Sequence, residues 1–323
     1  MTSSKIMFLI VISVVLLSSG SLGTWLGGVA IASTPPQVVY VSALGSDCTI
    51  CGTRSSPFLT ISRALGVVAA GGEVIVVDSG SYDQFSITQP VTVEAAPGVT
   101  AVIPVWNNTT GIVVDPGSTG TAALRGLTIT TTASGTTTMG IVCKSGAVLI
   151  ENCVVNGGFN TGIAAYCASL FVKDTAVVGC AVEGIDTYSN ASTPLTGTIE
   201  RCRFEKNNTG LDVFHNSIVT VRDTVASGNN VGMDALGEYN GQTSELNVEH
   251  CVLSGNNIGI SSSLTNPPGG TVIVRASDSI ATDNNYGFYV SPGTTFYSWG
   301  KNKIADSHVA DVGGGSLTLL TDY

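Results

Sequence analysis

Three aspartates stand at the same distance from a repeated glycine, and this shared position is where the sequence offers chemistry. Asp186, Asp212 and Asp234 each follow the glycine of a Gly-apolar pair by two residues. If the repeats stack as coils, these carboxylates lie about 4.8 Å apart on neighbouring strands, where like charges repel. Such a group favours a bound cation, with calcium as one candidate, a shared proton, or a role as catalytic acid or base. The alternative is three solvated carboxylates with no role.

Aromatic and polar residues follow the aspartates at similar distances. Tyr188 and Phe214 come four residues after their glycines, and sugar rings stack on aromatic faces of this kind. The loops beyond them carry His215, Glu238 and Tyr239, which complete the candidate substrate-binding set. For His215, the alternative is an exposed loop histidine with no role.

The glycine-apolar pair repeats through much of the chain, and this repeat must position the aspartates. The glycines of the pairs are 22, 22, 26, 22, 27 and 28 residues apart, at Gly140, Gly162, Gly184, Gly210, Gly232, Gly259 and Gly287. A period of this length without helical spacing predicts an all-β parallel solenoid. We expect two inward-facing strands in each coil, one at the glycine pair and one at a recurring Val or Ile. Most of the variation in length falls after the aspartate strand, which is typical of the binding side of a solenoid.

Two further columns of residues recur between the glycines. Charges of alternating sign follow the inward Val or Ile, which predicts a ladder of ion pairs with a structural role, formed by Glu151, Lys173, Glu200, Arg222, Glu249 and Arg275. Asparagines precede the glycine at Asn160, Asn208, Asn230, Asn257 and Asn285, and we expect them in left-handed corners.

The first part of the chain divides into segments of different composition. An apolar run over 6–17 follows Lys5, and Ala30-Ile31-Ala32 precedes Ser33, which predicts a secretory signal over 1–32, with an uncleaved membrane anchor as the alternative. Residues 33–115 predict a cap and the first coils, with a helix over 56–70 that begins at Ser56-Pro57. Residues 116–323 form the repeats.

Charge and composition limit the partners. The net charge is −10 and only 11% of residues are charged. A strongly acidic chain of this kind argues against nucleic-acid binding, so neutral polymers or cations are the expected partners. We expect a secreted, periplasmic or cell-surface monomer with no membrane span in the mature chain.

Eight cysteines in an exported chain suggest disulfides, but their positions differ. Cys153, Cys202 and Cys251 occupy one column on alternate coils, too far apart to bond, and we expect buried free thiols there. For Cys48 and Cys51 a loop disulfide is favoured over a redox pair or half of a metal site. Cys143, Cys167 and Cys180 stay unassigned.

The segments at 56–61, 72–77 and 80–82, together with the repeats, resemble the secreted right-handed β-helix proteins of the pectin-lyase-like superfamily. The resemblance covers most of residues 38–312. It implies a right-handed parallel β-helix with an N-terminal capping helix, in a superfamily of lyases, hydrolases, epimerases and non-enzymatic surface proteins. The signature motifs of its polygalacturonases are absent, and no arginine stands on the aspartate strand, so the resemblance transfers no catalytic residue.

These observations predict a protein that binds an extended polysaccharide along an outward aspartate-lined face without catalysis. Two alternatives stay open. One is a glycan-processing enzyme, a lyase, epimerase or hydrolase, that uses the three aspartates. The other is a purely structural surface protein.

Overall fold

The repeat builds coils of three strands, one more strand per coil than the sequence predicts. The computed structural model describes residues 34–106, 108–131, 138–238, 241–265 and 270–320. Within these ranges the strands form three parallel sheets of twelve, ten and ten strands, which we call sheets 1, 2 and 3 in the order in which a coil passes through them. The predicted signal over 1–32 lies outside the described residues.

Sheet 1 carries the recurring Val or Ile, and its strands are Val38–Val41, Gly72–Val76, Val91–Ala95, Thr121–Arg125, Ala147–Glu151, Ser169–Lys173, Leu195–Glu200, Ser217–Arg222, Thr243–Glu249, Thr271–Ser277, Thr295–Trp299 and Thr318–Leu320. Sheet 2 is made of shorter strands, Gly80–Ser81, Ala101–Pro104, Leu127–Thr131, Val154–Gly157, Ala176–Val178, Arg203–Glu205, Val225–Ser227, Val252–Ser254, Ile280–Thr282 and Lys303–Ala305. Sheet 3 carries the glycine pair, in strands Phe85–Ile87, Thr110–Val114, Met139–Cys143, Thr161–Ala165, Glu183–Thr187, Thr209–Phe214, Val231–Gly237, Ile258–Leu264, Tyr286–Val290 and Ala310–Gly314.

The core is three stacks of apolar side chains, one from the inner face of each sheet. In sheet 3, Ile163, Ile185 and Leu211 follow one another in register, each with no solvent exposure. Sheet 2 supplies a matching stack through Val177 and Phe204. Because alternate residues of a strand point to opposite faces, burying this stack turns the residue after each one outward.

The repeated glycine marks the closest approach of neighbouring coils. A Cβ atom built on Gly210 would lie 2.4 Å from the carbonyl oxygen of Gly232, and one on Gly232 would lie 2.5 Å from that of Gly259. Real Cβ atoms do not approach an oxygen so closely, so only glycine fits this column. The glycine column therefore fixes how the coils stack, and with them the aspartates two residues later.

The register of the charge ladder on the outer face of sheet 1 is confirmed for five of its six predicted members. Arg222 Nε lies 3.0 Å from Glu249 Oε2, and the ladder extends back to Arg125, whose Nε lies 2.6 Å from Glu151 Oε2. The position predicted for Arg275 is wrong, because Ser277 pairs with Glu249 and Arg275 pairs with Asn247. Arg275 instead forms an ion pair with Glu245 at 2.6 Å.

The asparagines before the glycine form a ladder, but not for the predicted reason. None of these asparagines has a positive φ, whereas the corner between sheets 1 and 2 has left-handed backbone at residues such as Asp174, Asp223 and His250. Asn230, Asn257 and their neighbours instead hydrogen-bond amide to amide, with Asn257 Nδ2 donating to Asn230 Oδ1 at 3.1 Å.

A second, buried asparagine ladder lies one residue earlier. Its members are Asn207, Asn229, Asn256 and Asn284. The Asn207 backbone N–H donates to Asn229 Oδ1 at 2.9 Å, and Asn229 Nδ2 donates to the carbonyl of Phe204 at 2.9 Å. The amides thereby satisfy backbone groups at a corner where the sheet hydrogen bonds are interrupted.

The cap helix is shorter than predicted and spans Ile61–Leu65. The predicted start at Ser56-Pro57 is wrong: Thr60 is the N-cap, and its hydroxyl accepts a hydrogen bond from the Arg63 N–H. Residues before it run extended, because Phe58 is buried and bridges to Val41 of the first strand. Asp83 accepts from the Ile61 N–H at 2.7 Å, which ties the helix to the first coils.

The structure joins Cys48 and Cys51 by a disulfide, with Cα atoms 5.2 Å apart. The other six cysteines are free and buried, including Cys153, Cys202 and Cys251, for which the sequence predicts this state. Over the described ranges, no helix is long and apolar enough to cross a membrane.

Candidate functional site on the outer face of sheet 3

The three aspartates lie side by side on consecutive strands of sheet 3. Asp186 pairs in register with Asp212, and Asp212 with Asp234, as the glycine spacing predicts. The preceding strand has Ala164 at this position and the following strand has Ser261, so the acidic row ends at both sides. Each of the three side chains is half-buried.

One oxygen of Asp212 and one of Asp234 are buried without a hydrogen-bond partner. These atoms are Oδ1 in both residues. Two unpaired carboxylate oxygens on adjacent strands repel each other when both groups are ionised, and a single proton between them satisfies both. Burial, and then the charges of Asp234 and Asp186, hold the pKa of Asp212 well above its ordinary value.

Asp234 differs from Asp212 in its hydrogen bonds. Burial raises its pKa to about 6, while hydrogen bonds from the Ser261 and Ser263 hydroxyls oppose the rise. The two neighbouring carboxyls therefore differ, because hydrogen bonds favour the ionised form at Asp234, whereas burial and the adjacent acids favour the protonated form at Asp212.

A fourth acid, Glu183, joins the row and was not predicted from the sequence. It precedes the glycine of the Asp186 strand, and its Oε2 accepts a hydrogen bond from Thr161 Oγ1 at 2.8 Å. Burial raises the pKa of Glu183, and burial together with the Glu183 charge raises the pKa of Asp186 to about 7. An acid in a column otherwise held by uncharged residues was the available signal.

No basic residue compensates these acids within sheet 3. The described strands of this sheet contain neither lysine nor arginine, whereas the charges of sheet 1 are largely paired. The pKa values of the four acids are raised because desolvated carboxylates without a nearby cation favour the protonated form.

An aromatic group lies directly beyond the acids on the same face. The Tyr188 ring lies 5.9 Å from Tyr166, 5.6 Å from Phe214 and 4.4 Å from His215, stacked on the last. Tyr166 is 41% exposed, and the burial of the rest of its side chain, followed by the charges of Asp186 and Glu183, raises its pKa. Tyr166 was not predicted, although it stands four residues after its glycine like Tyr188.

His215 differs from the expectation of an exposed loop histidine. It is 8% exposed, and its Nδ1 lies 2.8 Å from the Ser189 carbonyl oxygen. Its backbone has a φ of 43°, which turns the chain back at the end of the strand. The His215 ring therefore stacks on Tyr188 as a buried member of the aromatic group.

The remaining predicted residues lie further along the same loops. Glu238 comes directly after the strand that carries Asp234 and is half-buried. Tyr239 lies outside the described residues. The Tyr188 hydroxyl donates to Asn190 Oδ1 at 2.7 Å, which connects the aromatic group to the loop that follows the Asp186 strand.

The geometry gives no support to the calcium alternative. Among the residues that the structure describes, no group of three or more His, Cys, Asp or Glu side chains could hold a metal ion. Side chains on adjacent strands of one flat face point the same way, whereas calcium takes six to eight oxygens from around it.

Comparison with known proteins agrees with this architecture. The family model described as right handed beta helix region matches residues 102–247. The fold is a right-handed parallel β-helix. A search of the curated proteins finds no match to this chain.

Several solved structures share the fold at low sequence identity. The structure of XylC with xylose aligns at 11% identity and a TM-score of 0.59, covering 82% of this chain and 69% of that chain. An alginate lyase from Paenibacillus sp. aligns at 11% identity and 0.47, covering 80% and 95%. The mannuronan C-5 epimerase A-module from Azotobacter vinelandii aligns at 12% identity and 0.43, covering 81% and 90%. These likenesses concern the fold alone.

Proposed function

We propose that the protein binds an extended glycan across the outer face of sheet 3. The observation that carries this proposal is that the acidic row continues directly into the aromatic group. Asp186 lies on the strand Glu183–Thr187, and Tyr188, whose ring packs against Tyr166, is the next residue after that strand. Carboxyl groups can take hydrogen bonds from sugar hydroxyls, and the exposed part of Tyr166 offers a face for ring stacking. The fold of XylC, whose structure holds xylose, is compatible with this ligand class.

The charge of the face limits which glycan it binds. Four acids without a lysine or arginine on the strands of sheet 3 repel polyuronates, and the chain as a whole carries a net charge of −10. Neutral glycans, or glycans that bear protonated amino groups, fit this surface. We propose that the protein meets this ligand outside the cytoplasm, on the strength of the predicted signal over 1–32.

A glycan-processing enzyme is the second candidate, and one observation favours it. The pKa of Asp212 is held well above its ordinary value, while hydrogen bonds from the Ser261 and Ser263 hydroxyls favour the ionised form of Asp234, so the pair offers one group suited to donate a proton and one suited to accept it. Adjacent strands place these carboxyls about 4.8 Å apart, close to the spacing of about 5 Å in retaining glycosidases.

The deciding experiment measures binding and product release in parallel. The protein is incubated with neutral, amino-bearing and uronic polysaccharides, with and without calcium, beside Asp212→Asn and Tyr188→Ala. Glu249→Gln on the outer face of sheet 1 is the matched control. Retention of a neutral or amino-bearing glycan, lost in Tyr188→Ala but not in the control, supports binding.

Product release that disappears in Asp212→Asn supports the enzyme instead. If the native protein retains and cleaves none of the polysaccharides, or if the control loses as much as the two site variants, the proposed site is wrong and a structural surface protein is the better explanation.

A further inference from the structure

Two of the cysteines that the sequence leaves unassigned meet on neighbouring coils. Cys143 ends its strand of sheet 3 and pairs in register with Ala165 on the next coil. Cys167 lies two residues beyond Ala165, in the bend where the chain leaves sheet 3. Both side chains point into the core, with 0% and 2% exposure.

The backbone brings the two residues together. The N–H of Tyr166, the residue before Cys167, donates to the Cys143 carbonyl at 2.7 Å. Interaction with Cys167, and then burial, raises the pKa of Cys143, and interaction with Cys143 lowers that of Cys167. The Cys167 thiol donates to the Ser169 carbonyl at 3.4 Å, so a cross-link requires this side chain to turn toward Cys143.

The other free thiols are placed differently. Cys153, Cys202 and Cys251 each bond to a backbone carbonyl two residues before them, as Cys202 Sγ does to Glu200 O at 3.3 Å. They alternate with hydroxyls in the same role, such as Thr224 Oγ1, which donates to Arg222 O at 2.8 Å. Cys180 packs against the Gly162 column. These four sulfurs serve the packing and hydrogen bonding of the coils.

We propose that Cys143 and Cys167 form a disulfide between coils when the protein folds in an oxidising compartment, with a protein or small-molecule disulfide as the oxidant. Cys167, as thiolate, attacks one sulfur of the oxidant and releases its first thiol. Cys143 then loses its proton and attacks the Cys167 sulfur, which releases the second thiol. Two protein thiols are oxidised to one disulfide and the oxidant disulfide is reduced to two thiols.

The position of the pair explains when the exchange takes place. Both sulfurs are buried once the coils have stacked, so the oxidant must reach them before the loop between residues 143 and 167 closes. The cross-link then joins the strand Met139–Cys143 to the coil that carries Tyr166, next to the aromatic group. It does not depend on the proposed glycan function.

The test is peptide mapping without reduction. The full chain is produced with export to an oxidising compartment, quenched in acid, denatured, and alkylated without reductant. Cleavage after Lys144, Phe159 and Tyr166 by trypsin and chymotrypsin places Cys143, Cys153 and Cys167 on separate peptides. We expect a cross-linked peptide pair, lower in mass by two hydrogens, while Cys153 carries the alkyl group.

Two variants make the assignment specific. Cys143→Ser is expected to leave Cys167 alkylated, whereas Cys202→Ser keeps the cross-link. In a background lacking Cys48 and Cys51, a reductant is expected to lower the Tm by about 5 °C only when Cys143 and Cys167 are both present. Separate alkylation of Cys143 and Cys167 in the exported protein, or pairing of either one with another cysteine, overturns the proposal.

Discussion

Asp212 and Asp234 lie in register on adjacent strands, each with Oδ1 buried and without a hydrogen-bond partner. Nothing in a flat parallel sheet requires two acids there, and their repulsion works against folding. The protein keeps this unfavourable pair on the face that also carries its aromatic group. Such local instability is typical of functional sites, where groups are placed for a ligand and not for the fold.

The acidic row makes the free energy of unfolding decrease as pH rises. The pKa values of Asp186 and Asp234 are about 7 and about 6 in the folded protein, against 3.8 for the free side chain. The folded state therefore binds more protons than the unfolded chain between these limits, and this contribution to the free energy of unfolding falls as pH rises from about 4 to 7. Urea unfolding at a series of pH values measures this fall.

Asp212→Asn is expected to reduce this pH dependence and to raise the free energy of unfolding at pH 7.5 by about 1 to 2 kcal/mol. An amide is neutral at every pH, so folding no longer has to protonate a buried carboxyl that is ionised in the unfolded chain. Asp174→Asn is the control with the opposite sign, since the Arg201 guanidinium holds the pKa of Asp174 below its ordinary value. A loss of stability in Asp212→Asn comparable to that in Asp174→Asn would contradict the shared-proton arrangement.

The aromatic group predicts how glycan binding responds to substitution. Tyr166→Ala and Tyr188→Ala are each expected to weaken binding about 10-fold, since each ring contributes on the order of 1 kcal/mol of stacking. Isothermal titration with the glycan retained in the panel measures this. Tyr297→Ala, on sheet 1, should bind like the native protein. Equal losses in all three variants would show a general loss of folding.

The same face predicts a salt and charge preference. Amino-bearing oligosaccharides are expected to bind more weakly as salt is added, because the acidic row attracts them through charge. Binding of neutral oligosaccharides should change little over the same range. Tighter binding of a polyuronate than of either class would contradict the charge argument, and Asp186→Asn shows whether the row is responsible.

The two asparagine ladders differ in burial and should therefore differ in how much they contribute to the free energy of unfolding. Asn229→Ala removes the acceptor of the Asn207 N–H and the donor to Phe204 O, so we expect a cost of about 3 kcal/mol. The neighbouring Asn230→Ala removes two exposed hydrogen bonds between side-chain amides, at 3.2 Å to Asn208 and at 3.1 Å from Asn257, and should cost less than about 1 kcal/mol because water replaces both. Chemical denaturation of both variants compares them, and similar costs would refute a structural role specific to the buried ladder.

The column shared by cysteines and hydroxyls predicts which side chains it accepts. Thr224 Oγ1 accepts from the Cys202 N–H at 3.2 Å and donates to Arg222 O. Thr224→Val has nearly the same shape but leaves that buried N–H without an acceptor, at an expected cost of about 2 kcal/mol. Thr224→Ser should cost less than about 1 kcal/mol. If thermal unfolding shows the same loss of stability for both variants, the column selects its side chains by size and not by hydrogen bonding.

The sequence by itself determined the solenoid and the direction of its side chains. The glycine spacing repeats because no Cβ fits where coils meet at Gly210, and the strict alternation of strand residues then turns Asp212 outward. The ion-pair ladder was equally visible, because opposite charges recur at the spacing that stacking requires.

Sheet 2, the cap helix and the position of Arg275 needed the tertiary structure. A three-residue strand such as Arg203–Glu205 is too short to show a period of two. A shift of the Arg275 strand by two residues leaves the same side chains facing inward, so alternation is unable to detect it. At the cap, the local preference of Ser56-Pro57 for a helix start yields to the burial of Phe58.

The contacts within the site were also decided only by coil closure. Tyr166 and Glu183 are ordinary residues in the sequence, and each stands 22 positions from the side chain it meets, Tyr188 and Thr161 respectively. Their environment arises because stacked coils bring residues about 22 to 28 positions apart to neighbouring strands, and loop lengths between coils set which ones face each other. The repeat therefore determines the face on which a residue lies, and the packing of coils determines its partner and its charge.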